Sequence, residues 1–425
     1  MKKIIELSKE KIKEIVVTVG VQYGQSDKWH VRDSLAELKQ LAHTAGGTVI
    51  KEFTTVRKAP TPAYFVGKGK LEEIRVFCEG AGVTTVVFDD DLSPAQKKNL
   101  TKELKTKVLD RTELILDIFA LHAVTAEGKL QIEKAQLEYL LPRLTRAWTH
   151  LSRQEGGIGT RGPGERQLEV DRRRVKERIY HLNGKLKELR EARGLRRKKR
   201  QAVPVTVISI IGYTNSGKST LLNSLTGAGV LVEDKLFATL DTTTRIYFLP
   251  SGQKVLLTDT VGFLNKLPHG LIESFKATLE EVTESDLLLY IIDSSREDAL
   301  EQDKAVKEVL RELKADDKPS IKVFNKCDIE TSAGNIAGLK RFYPDGIEIS
   351  ALKKQGFEKL NDKIQSEIDK ILVTQEYRIP VKEYHLVNKF YEMGNVKKVE
   401  YKDDEIIIMA EAPARLSAEM KKYRK

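Results

Sequence analysis

The chain has 425 residues, a formal net charge of +11, 32% charged residues and two cysteines. That length suits two to four domains of ordinary size, and the basic balance points to a polyanionic partner without choosing nucleic acid over acidic lipid. Cys78 and Cys327 have no metal-ligand spacing, which argues against a disulfide scaffold or zinc site and fits a reducing compartment. Charges recur through Glu14 and no stretch has the length and apolarity of a membrane span, so a cytoplasmic protein is expected.

Residues 1–125 alternate short apolar runs with helical patterns. Ile15 to Val19, Thr48 to Ile50 and Thr84 to Phe88 read as strands, and the acidic turn Asp89-Asp90-Asp91 follows the third. Ser34 reads as the cap of a helix with Leu35, Leu38 and Leu41 on one face. The alternation predicts a small α/β domain with a mostly parallel sheet. Gly67-Lys68-Gly69-Lys70 is too short for a phosphate loop and reads as a structural turn.

Residues 126–201 change texture. Leu130, Leu137, Leu141, Leu144, Trp148 and Leu151 recur at three- and four-residue spacings, with Pro142 as a point where the helix can kink. Leu168, Val175, Ile179, Leu182, Leu186 and Leu189 repeat the stripe. Two such stripes predict a coiled-coil-like helical hairpin, or two helices packed separately on the core. Between them, residues 154–166 form a glycine-rich loop carrying Gly156, Gly157, Gly159, Gly162 and Gly164, with Arg153, Arg161 and Arg166 supplying positive charge. Such a tip suits structured RNA, because bare backbone approaches phosphates and Arg pairs or stacks with bases; the plain alternative is a flexible linker. Arg196, Arg197, Lys198, Lys199 and Arg200 form a like-charged run that is either a solvated linker or a second RNA contact.

Residues 202–372 read as a doubly wound α/β domain. An apolar strand (Val205 to Ile211) runs into Gly212-Tyr213-Thr214-Asn215-Ser216-Gly217-Lys218-Ser219, which fits G-x-x-x-x-G-K-[ST], and Thr220 opens a helical run. Glycines let successive N–H groups face phosphate oxygens, Lys218 reaches the β- and γ-phosphates, and Ser219 can ligate Mg²⁺. A strand then ends in Asp259-Thr260-Val261-Gly262, where Asp259 can hold Mg²⁺ through water and the Gly262 N–H can sense a γ-phosphate. Another strand delivers Asn325-Lys326-Cys327-Asp328. The Asp328 carboxylate can accept two hydrogen bonds from guanine that adenine does not offer, while Asn325 meets the opposite edge and the Lys326 stem covers the ring. Ser350-Ala351-Leu352 ends a last strand that can present a backbone N–H to the base. The order of these four motifs is that of GTPases. A GTPase also needs a switch threonine; Thr239, Thr242, Thr243 and Thr244 all lie in the right interval, and spacing does not choose among them. Phe263 stands where many GTPases carry a water-orienting glutamine, so either hydrolysis is slow alone or another residue or a partner supplies the missing group, and an accelerating partner is expected. No residue is assigned as the catalytic group. Residues 373–425 suggest a small β-α-β-β unit with a final helix.

With these motifs in place, the chain resembles the HflX family of ribosome-associated GTPases. The resemblance rests on Gly156 to Arg173, on the loop from Gly212 to Thr220, on Leu236 to Asp241, on Asp259 to Phe263, and on Tyr64 to Lys70. It implies that Thr239, flanked by Phe237, Ala238, Leu240 and Asp241, joins Ser219 on Mg²⁺, and that Phe263 is the family's normal residue. It further implies GTP and GDP as ligands, binding to the large ribosomal subunit and intact ribosomes with the hairpin tip near the peptidyl-transferase region, splitting of stalled or idle ribosomes under stress, and a monomer off the ribosome. Thr242 departs from a common family proline. The competing expectation is a GTP-binding RNA-interaction or ribosome-assembly factor without splitting activity.

Overall fold

Thr and Val/Ile-rich segments of the N-terminal region form a four-stranded, wholly parallel sheet: β1 (Ile15–Tyr23), β2 (Thr48–Arg57), β3 (Thr85–Phe88) and β4 (Lys107–Asp110), in the order β2-β1-β3-β4. The structure is a computed structural model that describes residues 14–23, 28–144, 163–201, 205–227, 236–237, 242–266, 279, 281–393, 395–402 and 404–424. The chain forms two compact units, with the division between Gly184 and Lys185.

In the first unit, α1 (Lys28–Thr44) buries Leu35, Leu38 and Leu41 as their spacing predicts, each contributing on the order of 2 kcal/mol. Ser34 is not its cap. It lies inside the helix and its hydroxyl donates to Asp89 Oδ2 at 2.7 Å. Gly67 caps α2 (Lys68–Ala81), so the Gly/Lys turn is a helix start. Ser93 and Gln96 form a reciprocal capping box on α3 (Pro94–Leu104), with proline at its first residue. The four-residue β4 has no strand signature in sequence, because Asp110 immediately caps α4 (Arg111–His122). Val17, Val19, Ile74, Val86, Phe88 and Leu100 meet in this unit's core.

α5 (Ala126–Leu144) follows. Its buried residues are Gly128, Gln131, Ile132 and Ala135, whereas Leu130, Leu137, Leu141 and Leu144 are only half-buried. These four residues thus form the packed side, and the leucine stripe flanks it. Pro142 falls in the last turn, where Arg143 Nη1 donates to the Tyr139 carbonyl at 3.0 Å. α6 (Pro163–Gln201) is 39 residues long. Arg178 forks onto Glu133 of α5 at 2.7 and 2.9 Å, and Leu182 and Leu186 are buried. Among the described residues no helix is long and apolar enough to cross a membrane.

The second unit holds β5 (Thr206–Gly212), α7 (Lys218–Thr226), β6 (Thr243–Phe248), β7 (Lys254–Asp259), β8 (Leu287–Asp293), α8 (Ala299–Glu312), β9 (Ser320–Asn325), α9 (Ser332–Phe342), β10 (Ile347–Glu348) and α10 (Phe357–Ile371). Its six-stranded sheet has the order β10-β9-β8-β5-β7-β6, parallel except for the β6 edge. β8 is buried along its whole length, as its unbroken apolar run predicts. The last strand is shorter than its sequence suggests. It stops at Glu348, and Ser350-Ala351-Leu352 lie in the following turn. The same unit continues into a three-stranded antiparallel sheet of β11 (Leu372–Pro380), β12 (Asn395–Tyr401) and β13 (Glu405–Pro413), ordered β11-β13-β12, with α11 (His385–Met393) and α12 (Ala414–Glu419).

Candidate functional site

In a parallel sheet with crossover helices, binding groups gather at the carboxyl ends of the strands. Here β5, β7 and β9 end at Gly212, Asp259 and Asn325, which brings motifs more than a hundred residues apart onto one edge. The loop from Gly212 to Gly217 leads from β5 into α7, so the helix N-terminus, with its unmatched N–H groups and positive dipole end, faces the site. Asn215 (φ 58°) and Gly217 (φ 92°) are left-handed, the alternation that turns consecutive N–H groups inward into an anion nest. A Cβ at Gly217 would strike the Asn325 amide nitrogen, and one at Gly262 would lie 2.8 Å from Thr214 Cα and 2.9 Å from Lys218 Nζ. Both positions therefore need glycine for close approach, and the left-handed Gly217 needs it for backbone freedom as well.

Lys218 is buried, and its Nζ donates to the Tyr213 carbonyl at 2.6 Å. Burial pulls its pKa down to about 8, opposed by the nearby Asp259 carboxylate. The Ser219 hydroxyl donates to Asp259 Oδ2 at 2.6 Å. Thr220 follows in the first turn of α7. Among the described residues the buried hydroxyls of Thr214 and Ser216 have no hydrogen-bond partner. Two unmatched buried hydroxyls at a left-handed nest fit an acceptor-rich phosphate group.

The segment after β7 is laced to this loop. Thr260 Oγ1 donates to the Ile210 carbonyl at 2.8 Å, Phe263 N–H to the Gly212 carbonyl at 3.1 Å, Thr214 N–H to the Phe263 carbonyl at 2.7 Å, and Asn265 N–H to the Tyr213 hydroxyl at 2.7 Å. Val261 and Phe263 are buried, so the Phe263 ring is packing and its backbone is the contact.

At β9, Asn325 is a bridge. Its Nδ2 donates to the Ser216 carbonyl at 2.8 Å and its Oδ1 accepts from Ala351 N–H at 3.0 Å. The side chain expected at the base edge instead ties the phosphate loop to the Ser350-Ala351 turn. Ser224 Oγ donates to the Ala351 carbonyl at 2.7 Å, and Cys327 N–H to the Ile349 carbonyl at 3.1 Å, closing the same turn. Asp328 accepts from Ser350 and pairs with Lys353 Nζ at 3.3 Å; the Ser350 hydroxyl first, then Lys353, hold its carboxyl below the usual range. It is thus an ionised, acceptor-only group. Lys326 is left-handed (φ 64°) and its Nζ pairs with Asp293 Oδ2 at 2.6 Å. Asp293 escapes motif reading; its signal is an acid at the end of the apolar strand β8. Leu352 is largely exposed.

Phe237 is buried and left-handed (φ 59°), while Ala238, Thr239, Leu240 and Asp241 lie outside the described residues. So do Arg153, Gly156, Gly157, Gly159, Arg161 and Gly162. Gly164 and Arg166 are not loop residues: they sit in the first turns of α6, which Pro163 opens. Arg196 to Arg200 likewise continue that helix to Gln201 instead of forming an irregular linker. Lys and Arg are good helix formers and are favoured in a last turn by the helix dipole.

The architecture and the arrangement at the strand ends define a P-loop GTPase. Three family descriptions match in series: "GTP-binding GTPase N-terminal" over residues 32–120, "GTP-binding GTPase Middle Region" over 122–200 and "50S ribosome-binding GTPase" over 207–326. The chain is 44% identical to GTPase HflX of Caldanaerobacter subterraneus subsp. tengcongensis, over 98% of this chain and 95% of that protein. It is 44% identical to GTPase HflX of Lacrimispora saccharolytica, over 99% and 98%, and 42% identical to that of Escherichia coli, over 88% of each. A GDP complex of a GTP-binding protein from Sulfolobus solfataricus is similar at 28% identity and a TM-score of 0.44, covering 82% of this chain and 98% of that one. The chain belongs to the HflX family.

It is a GTP hydrolase that uses GTP, GDP and Mg²⁺. The residues fit these ligands: the nest and unmatched hydroxyls suit phosphates, and the Ser219 hydroxyl beside the Asp259 carboxylate is a hard-oxygen pair of the kind Mg²⁺ prefers. When bound, the ion neutralises charge on the phosphate oxygens.

Proposed function

We propose that this chain is a cytoplasmic GTP-driven switch that binds the large ribosomal subunit and intact ribosomes and separates stalled or idle ribosomes under stress. In this reading the residues from Gly212 to Thr220, with Asp259 to Gly262, hold phosphates and Mg²⁺. Asp328, Lys326, Cys327 and the turn Ser350 to Leu352 hold guanine, with Asn325 positioning both loops. Thr239, with Phe237, Ala238, Leu240 and Asp241, closes over the γ-phosphate. The chain works as four parts, 1–125, 126–201, 202–372 and 373–425. The glycine-rich tip and the run from Arg196 to Arg200 are its contacts with ribosomal RNA.

The observation that carries the switch is the lacing of Phe263 and Asn265 to Gly212, Tyr213 and Thr214. Phosphate at the loop competes for the Thr214 N–H and so acts directly on the segment that follows Gly262. The buried Phe263 ring leaves water orientation to another group, which supports slow turnover alone and acceleration by the partner. The family description "50S ribosome-binding GTPase" and the +11 charge support a ribosomal partner.

The test is GTP turnover by the purified protein alone and with large subunits, small subunits and intact ribosomes, followed by sedimentation of ribosomes with GTP. Stimulation by large subunits together with loss of the intact ribosome peak is expected. Stimulation without separation would leave an assembly or RNA-binding factor, and no stimulation by any particle would sink the ribosomal reading.

A further inference from the structure

The C-terminal sheet carries a tyrosine cluster that the nucleotide site does not use. Tyr384 immediately precedes α11 in helical conformation, Tyr391 follows seven residues later, and Tyr401 ends β12; they are 47%, 57% and 62% exposed. Seven residues are nearly two helical turns, so Tyr384 and Tyr391 share one face at about 10 Å along the axis. Tyr401 is paired with Ile406 across the ladder, which places it on the helix-covered face of the sheet, at the edge strand. Its hydroxyl shares a hydrogen bond with Tyr384, and the Tyr391 phenol is close enough to act on it electrostatically. The neighbouring aromatics are spent differently: Phe390 and Tyr377 are fully buried with ring centroids 4.6 Å apart. Three large rings gathered on the outside are not required by this core, and such clusters mark binding surfaces.

Cations border the rings. Lys382 is exposed two residues before Tyr384, and Lys402 directly follows Tyr401. Most of the acids nearby are already engaged: Glu400 is paired with Lys398 at 2.6 Å and further offset by Lys402, Glu383 accepts from the Tyr423 hydroxyl, and Glu405 pairs with Arg378 at 3.6 Å, while Asp404 in the turn after Lys402 is exposed. Phenol rings stack on any base, and two or three such platforms with nearby lysines are what unpaired RNA requires. A proline-rich peptide also suits exposed tyrosines, but it gains nothing from the flanking lysines.

We propose that Tyr384, Tyr391 and Tyr401 form a stacking platform for unpaired RNA bases, with Lys382 and Lys402 on the adjoining phosphates. This rests on the ribosomal reading above and adds a contact in a part of the chain for which that reading names none.

The test uses the full chain and a fluorescein-labelled uridine octamer, with Y384A/Y391A/Y401A compared with Y384F/Y391F/Y401F. Loss of stacking is expected to weaken binding roughly 10- to 100-fold in the alanine variant, and phenylalanine should stay within about threefold of the parent. Because other basic segments also attract phosphates, a 4-thiouridine version of the octamer is photo-crosslinked and mapped by mass spectrometry; crosslinks within 381–402 are expected. Unchanged affinity in the alanine variant, or crosslinks confined to other segments, overturns the platform, as does a polyproline peptide that binds at these tyrosines while the octamer does not. Large-subunit-stimulated turnover is read on the same proteins. A stimulated parent with unchanged octamer affinity in the alanine variant overturns the platform alone, whereas a parent that no subunit stimulates removes the ribosomal reading and leaves the octamer to decide the platform.

Discussion

At the scale of single residues, Asp328 is the side chain proposed to choose the base. Ser350 and Lys353 keep it ionised, so it can only accept hydrogen bonds, and a ligand must bring two donors to it. Asp328→Asn replaces one acceptor by a donor and is expected to favour xanthosine over guanosine nucleotides by at least about 100-fold relative to the parent. Competition between GTP and XTP for a fluorescent analogue reads this directly, and an unchanged preference would remove Asp328 from base recognition. Gly217→Ala tests geometry instead of chemistry. Its methyl meets the Asn325 amide at a left-handed backbone position, so nucleotide affinity should fall at least about tenfold with little change in the far-UV spectrum. Calorimetric titration with GDP is the measurement.

At the scale of elements, Asn325 joins three of them: the end of β9, the loop before α7 and the turn after β10. Asn325→Ala leaves the Ser216 carbonyl and the Ala351 N–H without this partner, which should cost about 1–3 kcal/mol in urea unfolding and weaken guanine and phosphate binding together. Equal stability with only base affinity lost would mean that the side chain serves the ligand alone. A second element-scale test lies on β9 itself. Lys322 sits over the Tyr290 ring at 4.3 Å and the Tyr343 ring at 5.5 Å, and burial lowers its pKa to about 8, against the attraction of Asp303. Tyr290 and Tyr343 face it, both with pKa values raised first by burial and then by Asp303, so they stay protonated; Lys307 and Ser320 are its other polar neighbours. A lysine with a depressed folded pKa binds fewer protons folded than unfolded between about 8 and its ordinary value, so stability should rise with pH through that window. Lys322→Met should remove this rise; unfolding free energies of both proteins at pH 7.5 and 9.5 are the check.

For the whole molecule the decisive property is charge. A net +11, with Arg196 to Arg200 on one helix, makes any contact with ribosomal RNA release counterions. Affinity for large subunits in co-sedimentation should therefore fall at least about tenfold between 50 and 200 mM salt, while GDP affinity, set within the strand ends, should change far less. A salt-insensitive complex would mean that protein contacts dominate. The proposed stimulation of turnover by ribosomes belongs to this scale too, since the buried Phe263 gives the second unit no side chain of its own at that position to orient water.

Much of the protein was legible in its sequence because its information is local. The phosphate loop needs contiguous residues with particular backbone freedom, strand β8 needs an unbroken apolar run, and α1 needs leucines on one face; each is written within a dozen residues. Other features depend on distant partners. Ser34 became an interior hydrogen-bond donor because tertiary packing set Asp89 beside it, and Asn325 became a bridge because the sheet order placed β9 two strands from β5, with β8 between them. Asp293 carries no motif, and its pairing with Lys326 exists only where β8 and β9 end together. Composition and spacing thus determined which chemistry the chain carries, whereas packing decided which groups hold that chemistry in place, because a hydrogen bond between residues a hundred positions apart leaves no periodic trace in either segment.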